Sequence, residues 1–209
     1  MAVRGLEPGM RAALLVSEVQ NGIADPAYDD TPLAQQCVER DIVTKINGLA
    51  AAFRAADRPV VFCTIAAPYA DWSHFTVNCS LAARLRRDAR LVDGTKHAQI
   101  HEGLSVEPGD VVSHRNHGMA PFTGTSLDAT LRRYGVDTVV LSGVSTNIAL
   151  PGAATEAIGL GYNVVLAEDC TAGGTAETHQ VQITMHLPLL ATISDSASIG
   201  AALAAGVPA

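Results

Sequence analysis

The stretch DTVVLSGVSTNIALPGAATEAIGLGYNVVLAED, residues 137–169, carries the pattern that decides the fold. Its two apolar, β-branched runs at 137–143 and 163–169 have the length and composition of buried strands. Between them, small and apolar residues at 151–161 predict a short helix that Gly161 ends. A helix that connects two continuously apolar strands is typical of a parallel sheet that is covered on both faces.

The same alternation continues on both sides of this stretch. Further strands are predicted at 12–19, 59–65, 109–114 and 191–194. Helical patterns are found at 32–56, 125–135 and 175–191. Ser126 is a possible cap of the second of these helices, and Pro188 should kink or end the third. We therefore expect an α/β fold of three layers, with a mostly parallel sheet between helices, formed by residues 1–209 as a single domain.

Composition narrows the classes of partner. The 209 residues carry a formal net charge of −7, which argues against nucleic acid or an anionic membrane surface. No stretch approaches the roughly 20 uninterrupted apolar residues of a membrane span, and the N-terminal sequence lacks the apolar core of a signal peptide. We expect a cytoplasmic protein. The four cysteines form no CxxC pair, which favours reduced, buried thiols over disulfides or a zinc ribbon.

Three segments connect this pattern to a known family. They are ALLVSEVQNGI at 13–23, GLSVEPGDVVSHRNHGMAPFTGTSLDATLRRYGVDTVVLSGVSTN at 103–147, and EAIGLGYNVVLAEDC at 156–170. In order and spacing they resemble the isochorismatase-like hydrolases, also called the cysteine hydrolase family, over roughly residues 12–194. The resemblance implies a catalytic Asp, Lys and Cys, a small-molecule substrate and no cofactor. It also implies a cis peptide between Val144 and Ser145 and assembly into a homodimer or homotetramer.

The chain departs from the family pattern at the catalytic positions. Glu18 stands at the position of the Asp, and Ala149, which cannot attack a carbonyl, stands at that of the nucleophilic Cys. Because ligands bind where the strands of such sheets end, Glu18 is a candidate general acid. A glutamate that only caps or forms a salt bridge is the alternative interpretation.

The position of the family Lys is open in this sequence. Counting forward along the preceding strand gives His114, and counting back from Phe122 gives Asn116. Arg115 is the only permanent cation between them, so we expect it to hold an anion, with His117 as an acid/base candidate. A solvated polar loop is the alternative. No third ligand is evident near the two histidines, so we expect no metal site.

The turn before Ala149 is the expected oxyanion and substrate-binding loop, made of Val144, Ser145, Thr146 and Asn147. The Asn147 amide could enter the pocket or only cap the next helix. Three further side chains are assigned to substrate binding, namely Trp72, His114 and Phe122; Trp72 could equally pack in the core or at an interface. The remaining candidates are expected at the surface or in the core, and they are His74, His97, His101 and Cys170.

Three functions are compatible with these residues. The first is a cysteine-independent enzyme that uses acid/base chemistry, as in vinyl-ether hydrolysis or a related proton transfer. The resemblance supports it, because the true isochorismatases of the family lack the nucleophile. The second is a small-amide amidohydrolase whose Cys nucleophile was replaced by Ala149. The third is a non-catalytic binding member of the family.

Overall fold

A parallel six-stranded sheet forms the centre of the molecule. The structure is a computed structural model that describes residues 3–206. The strands are β1 Ala12–Ser17, β2 Val60–Ile65, β3 Val111–Arg115, β4 Thr138–Val144, β5 Asn163–Ala172 and β6 Thr192–Ser194. Their order across the sheet is β3-β2-β1-β4-β5-β6. The order reverses between β1 and β4, and the carboxyl ends of the strands at such a reversal form the usual ligand crevice of open α/β sheets.

Helices cover both faces of the sheet. They are α1 Asn21–Ala24, α2 Pro32–Glu39, α3 Ile42–Ala55, α4 Ser80–Arg87, α5 Leu127–Arg133, α6 Ala149–Gly159, α7 Ala176–Val181 and α8 Ser196–Ala205. On one face, α3 and α8 bury side chains such as Phe53 against Leu14 and its neighbours. On the other face, α5 and α6 pack against Leu15 and Leu141. The expected three-layer α/β fold is confirmed.

Several helix boundaries differ from the sequence prediction. The helix predicted at 32–56 is two helices, α2 and α3, because Asp41 between them has a left-handed φ of 51°. The α-helical part of 175–191 ends at Val181 and continues as a π turn and a 3-10 turn that contains Pro188. Proline lacks the backbone N–H that an α-helix needs at this point. Helices α1, α4 and α8 were not predicted from the sequence.

The pairing of β4 with β5 is interrupted by a bulge. Leu141 pairs with Leu166, whereas Gly143, two residues later, pairs with Thr171, five residues later. The extra residues of β5 therefore leave the regular ladder close to the β4 carboxyl end. Glu168 lies in this bulge.

Candidate active site

Glu18 and Arg115 form an ion pair at the carboxyl edge of the sheet. Glu18 directly follows β1, where its N–H donates to the carbonyl of Cys63 at 2.9 Å. Arg115 is the last residue of β3, and its Nη2 donates to Glu18 Oε1 across the end of β2. Arg115 is only 3% exposed. A buried guanidinium requires a partner of opposite charge, and Glu18 supplies it.

Strand alternation separates Arg115 from the other residues considered for the Lys position. His114 faces the opposite side of the sheet, where its Nδ1 lies 2.9 Å from Thr64 Oγ1. Asn116 is exposed beyond the strand. The ring of His117 packs directly against Gly124 in its own loop. A Cβ added at Gly124 would lie only 2.6 Å from His117 Nε2. Arg115 is therefore the member of this segment that contacts Glu18.

The loop between β4 and α6 begins beside Glu18. Ser17, the residue before Glu18, is the register partner of Gly143. Gly143 has a φ of 87°, and an added Cβ would lie 2.8 Å from the Ser17 nitrogen and still closer to its carbonyl oxygen. The following peptide, Val144–Ser145, is cis, as the family resemblance implies. The sequence therefore needs glycine at 143 for this loop to start next to β1.

The loop residues reach Ala149 through a set of backbone bonds. The Thr146 N–H donates to Ala172 at 3.0 Å, and Leu150 donates to Ser145 at 3.0 Å. Asn147 Oδ1 accepts the Gly174 N–H at 2.9 Å, so its side chain is used to hold the loop to the end of β5. Ala149 is the first residue of α6 and is buried.

Trp72 and Phe122 pack in two different clusters. Trp72 packs against Phe75 with ring centroids 4.7 Å apart and the ring planes tilted, in a buried cluster that includes Ile65. Because Ile65 is the register partner of Arg115, this cluster borders the ion pair. Phe122 packs instead in the core beneath α5 and α6, with its ring centroid 6.0 Å from that of Tyr162.

The other histidines of the sequence prediction lie in separate places. His74 packs near Tyr69, and His97 packs edge-on against Tyr28. His101 Nε2 lies 3.9 Å from an Asp25 carboxylate oxygen. Within residues 3–206 the His, Cys, Asp and Glu side chains form no group of three or more that could hold a metal ion.

A buried polar network supports the loop from behind. His179 Nδ1 lies 3.2 Å from Thr146 Oγ1, and His179 Nε2 lies 3.0 Å from Glu168 Oε1. Arg40, which follows α2, binds the same Glu168 oxygen at 2.6 Å and the carbonyl of Thr171 at 2.7 Å. The network thus joins α2, the β5 bulge and α7 to the residue after Ser145.

The pKa values of this network define its protonation. Burial lowers the pKa of His179, and the hydrogen bond to Glu168 only partly offsets this effect. Burial raises the pKa of Glu168, but hydrogen bonds from His179 and Arg40 outweigh it and leave that pKa below its usual value. At neutral pH the His179 ring is therefore neutral. Its Nε2–H donates a hydrogen bond to the Glu168 carboxylate, and its Nδ1 accepts a hydrogen bond from the Thr146 hydroxyl.

Sequence reasoning did not identify His179, Glu168 or Arg40. The available signal was Thr175, which starts α7 with a capping box and so orients the first turn of that helix. The decisive information is the β5 bulge, which the local sequence pattern does not reveal.

Comparison with known proteins assigns the family. The isochorismatase domain matches residues 12–198 of the chain. The chain belongs to the isochorismatase family. It is 32% identical over 184 residues to the isochorismatase family protein YecD of Escherichia coli O157:H7, and this alignment covers 87% of this chain and 90% of that protein.

Two further proteins match over most of the chain. The ureidoacrylate amidohydrolase RutB of Methylobacterium radiotolerans is 28% identical over 209 residues, covering 93% of this chain and 80% of that protein. The crystal structure of an isochorismatase family protein from Desulfovibrio vulgaris has a TM-score of 0.80 at 28% identity, covering 94% of this chain and all of that chain (100%). Members of the family are hydrolases and include amidohydrolases. Within residues 3–206, no helix is long and apolar enough to cross a membrane.

Three of the four cysteines of this isochorismatase-family chain are poorly suited to act as nucleophiles. Burial raises the pKa values of Cys37, Cys63 and Cys170 to about 12. Cys63 senses the charges of both Arg115 and Glu18, but burial dominates. A thiol must ionise to attack, so these three remain protonated and unreactive at neutral pH.

Proposed function

We propose that this isochorismatase-family hydrolase acts on a small molecule by acid/base chemistry without a covalent enzyme intermediate. The observation that carries the proposal is the Glu18–Arg115 ion pair beside the loop that leads to Ala149. A carboxyl group and a fixed cation remain at the site, whereas the nucleophile does not. These are the groups needed to move a proton and to stabilise the negative charge that the transfer creates.

Vinyl-ether hydrolysis illustrates the roles. In its protonated form Glu18 gives its proton to the carbon–carbon double bond, and Arg115 stabilises the carboxylate that remains, which is the ion-paired form seen in the structure. Water then adds to the oxocarbenium carbon, and the proton that the water loses returns to Glu18. The methyl group of Ala149 leaves room that a thiol would occupy and offers no competing nucleophile. The resulting hemiketal breaks down to a carbonyl compound and an alcohol.

A small-amide hydrolase is the second candidate, and the match to RutB over 93% of this chain favours it. In that case Ala149 replaces a catalytic cysteine, and the chain retains only substrate binding. Restoring the thiol would then restore amide hydrolysis.

One panel of variants and substrates separates the two candidates. The substrates are isochorismate, ureidoacrylate and nicotinamide, and the proteins are wild type, Glu18→Gln, Ala149→Cys and Glu39→Gln. Glu39 is an exposed glutamate of α2 and serves as the matched control. For acid/base catalysis we expect Glu18→Gln to lower kcat on the active substrate by at least about 100-fold. Glu39→Gln should leave kcat unchanged, and Ala149→Cys should not increase it.

Two results would overturn the proposal. One is full activity of Glu18→Gln on the substrate that wild type converts. The other is a wild type that is inactive throughout the panel while Ala149→Cys hydrolyses an amide, which would establish the second candidate instead.

A further inference from the structure

Arg115 has hydrogen-bonding groups that its ion pair with Glu18 does not use. Only Nη2 contacts the carboxylate, while Nε and Nη1 are buried and have no hydrogen-bond partner among residues 3–206. The hydroxyls of Ser17 and Ser113 are likewise buried and unpartnered within that range. We call Arg115, Ser17 and Ser113 the donor cluster.

Sheet register places the donor cluster on one face at one edge. Ser17 pairs with Cys63 on β2, and Cys63 pairs with Ser113 on β3, so the three residues form a row across the sheet. Arg115 is two residues after Ser113 and therefore points to the same face. On the other side of Ser17 the next residue of the row is Gly143, which has no side chain. Small side chains thus lie next to the guanidinium.

Apolar groups enclose this face. Cys63 belongs to the buried cluster beneath α5 and α6, and Trp72 lies in the cluster that contains Ile65. The Trp72 indole Nε1 is a further buried donor without a partner in the described chain. Leaving buried donors unsatisfied costs more than a hydrogen bond normally contributes, and the cost is larger for a charged group. Such a set is retained at low cost when a ligand supplies the acceptors.

The chemistry of the donors selects the ligand. The guanidinium and the indole only donate, and each hydroxyl can donate. An ionised carboxylate only accepts and does so at about four lone-pair sites, so it matches this set better than an amide or an alcohol, which also carry donors. Glu18 contacts only Nη2 of Arg115. The Nε and Nη1 groups are not part of that contact and can still donate to a second anion.

We propose that the donor cluster binds a carboxylate group of the substrate, and that Ser17 and Ser113 are specificity-determining residues for substrates that carry one. This inference rests on the proposed function, since it assigns the substrate class of the same site. Arg115 then has two partners, Glu18 through Nη2 and the substrate through its remaining N–H groups. The reacting part of the substrate is held beside Glu18 as a result.

Binding of benzoate and acetate, compared with benzamide and acetamide, tests the proposal without requiring turnover. Isothermal titration calorimetry measures the affinities of wild type, Ser17→Ala and Ser113→Ala. We expect the carboxylates to bind and the amides not to bind, and each alanine variant to weaken carboxylate binding by about tenfold. Both variants remove one oxygen from a small side chain, so the fold is preserved. Ser105→Ala, an exposed serine, is the matched control.

Glu18→Gln separates this inference from the proposed function. It removes the negative charge next to Arg115, so it should bind benzoate at least as tightly as wild type, even though it should be inactive. An inactive Glu18→Gln that binds benzoate supports both proposals, and an active one that binds benzoate overturns the mechanism alone. Equal affinity for carboxylate and amide, no saturable carboxylate binding, or unchanged affinity in both serine variants would overturn the carboxylate site.

Discussion

At the scale of single residues, Gly143 determines how closely β4 approaches β1. Its position leaves no space for a Cβ, because the nearest atoms belong to the Ser17 backbone and cannot move away as a side chain could. The positive φ of 87° adds a second reason for glycine. This one residue therefore brings the loop that carries Ala149 next to Glu18.

Gly143→Ala should destabilise the protein by about 2–5 kcal/mol, because backbone strain and a steric overlap combine. Gly48→Ala is the control. Gly48 is exposed within α3, and nothing lies within 4 Å of an added Cβ. The free energy of unfolding of Gly48→Ala should be higher by about 0.5–1 kcal/mol, because alanine reduces the entropy of the unfolded chain and has the better helix propensity. Urea unfolding measures both values, and equal stabilities of the two variants would contradict the expectation.

The cysteines make a second residue-scale prediction. In the native protein at pH 8, iodoacetamide should modify Cys79 alone, because Cys79 is exposed and the other three thiols are buried with pKa values of about 12. Intact mass spectrometry should show one adduct, and four after unfolding in guanidinium chloride. Catalytic activity should survive the native modification. Rapid labelling of Cys63 in the folded protein would show that the reasoning about burial is wrong.

At the scale of elements, the β5 bulge and α7 together support the loop between β4 and α6. The bulge places Glu168 within hydrogen-bonding distance of His179, and α7 places His179 within hydrogen-bonding distance of Thr146. Neither element contacts the Glu18–Arg115 pair through these bonds. The network acts on the site by holding the loop that precedes Ala149.

The stability of the fold should depend on pH through this network. Because the pKa of His179 is lowered on folding, the unfolded chain binds the proton more readily, so stability is present above the unfolded pKa of about 6.5 and is lost as the pH falls through the folded pKa. Glu168, whose pKa is also lowered, should add a second loss below its ordinary value of 4.5. The free energy of unfolding, measured from pH 8 down to pH 2, should therefore decline in two stages.

His179→Gln tests the assignment of the first stage. The free energy of unfolding of this variant at pH 7 should be lower by about 1–3 kcal/mol, because Thr146 loses its hydrogen-bond partner. Its stability should no longer decline just below pH 6.5. His186→Gln, at an exposed histidine of the π turn, should keep the wild-type profile. If His186→Gln abolished the first stage and His179→Gln did not, the buried histidine would not be its origin.

At the scale of the whole molecule, apolar side chains are exposed at one end of the fold. Ile158, near the end of α6, and Leu189, after α7, line the same surface cavity. Leu189 is 83% exposed. Apolar surface of this kind is typical of protein interfaces, and closed symmetric assemblies are the usual result in soluble oligomers.

We expect the chain to form a homodimer or a larger even assembly through this surface. Leu189→Glu should shift the molar mass measured by light scattering toward the monomer, because a charge would be buried in the contact. Val38→Glu places the same charge at another exposed apolar residue, on α2, and should leave the assembly intact. A wild-type protein that is only monomeric at micromolar concentration would exclude this assembly.

Much of the architecture could be predicted from the sequence, because it depends on local periodicity. The apolar runs at 137–143 and 163–169, with a helix between them, predict parallel pairing, and the paired strands are observed. Glu18 and Ala149 could be placed after strand ends because strand boundaries are visible in the chain. The break at Asp41 could not, since a left-handed residue inside an apolar helical pattern has no periodic signal.

The chemistry of the site depended on tertiary structure. The sequence by itself determined that residue 18 carries a carboxylate and that residue 149, an alanine, cannot act as a nucleophile. Only the fold decided that Arg115, rather than His114 or Asn116, reaches Glu18, because strand alternation and register between β2 and β3 determine which side chain faces the site. The donor cluster has the same origin, since its residues lie far apart in the chain and hydrogen-bonding partners are a property of packed neighbours rather than of local sequence.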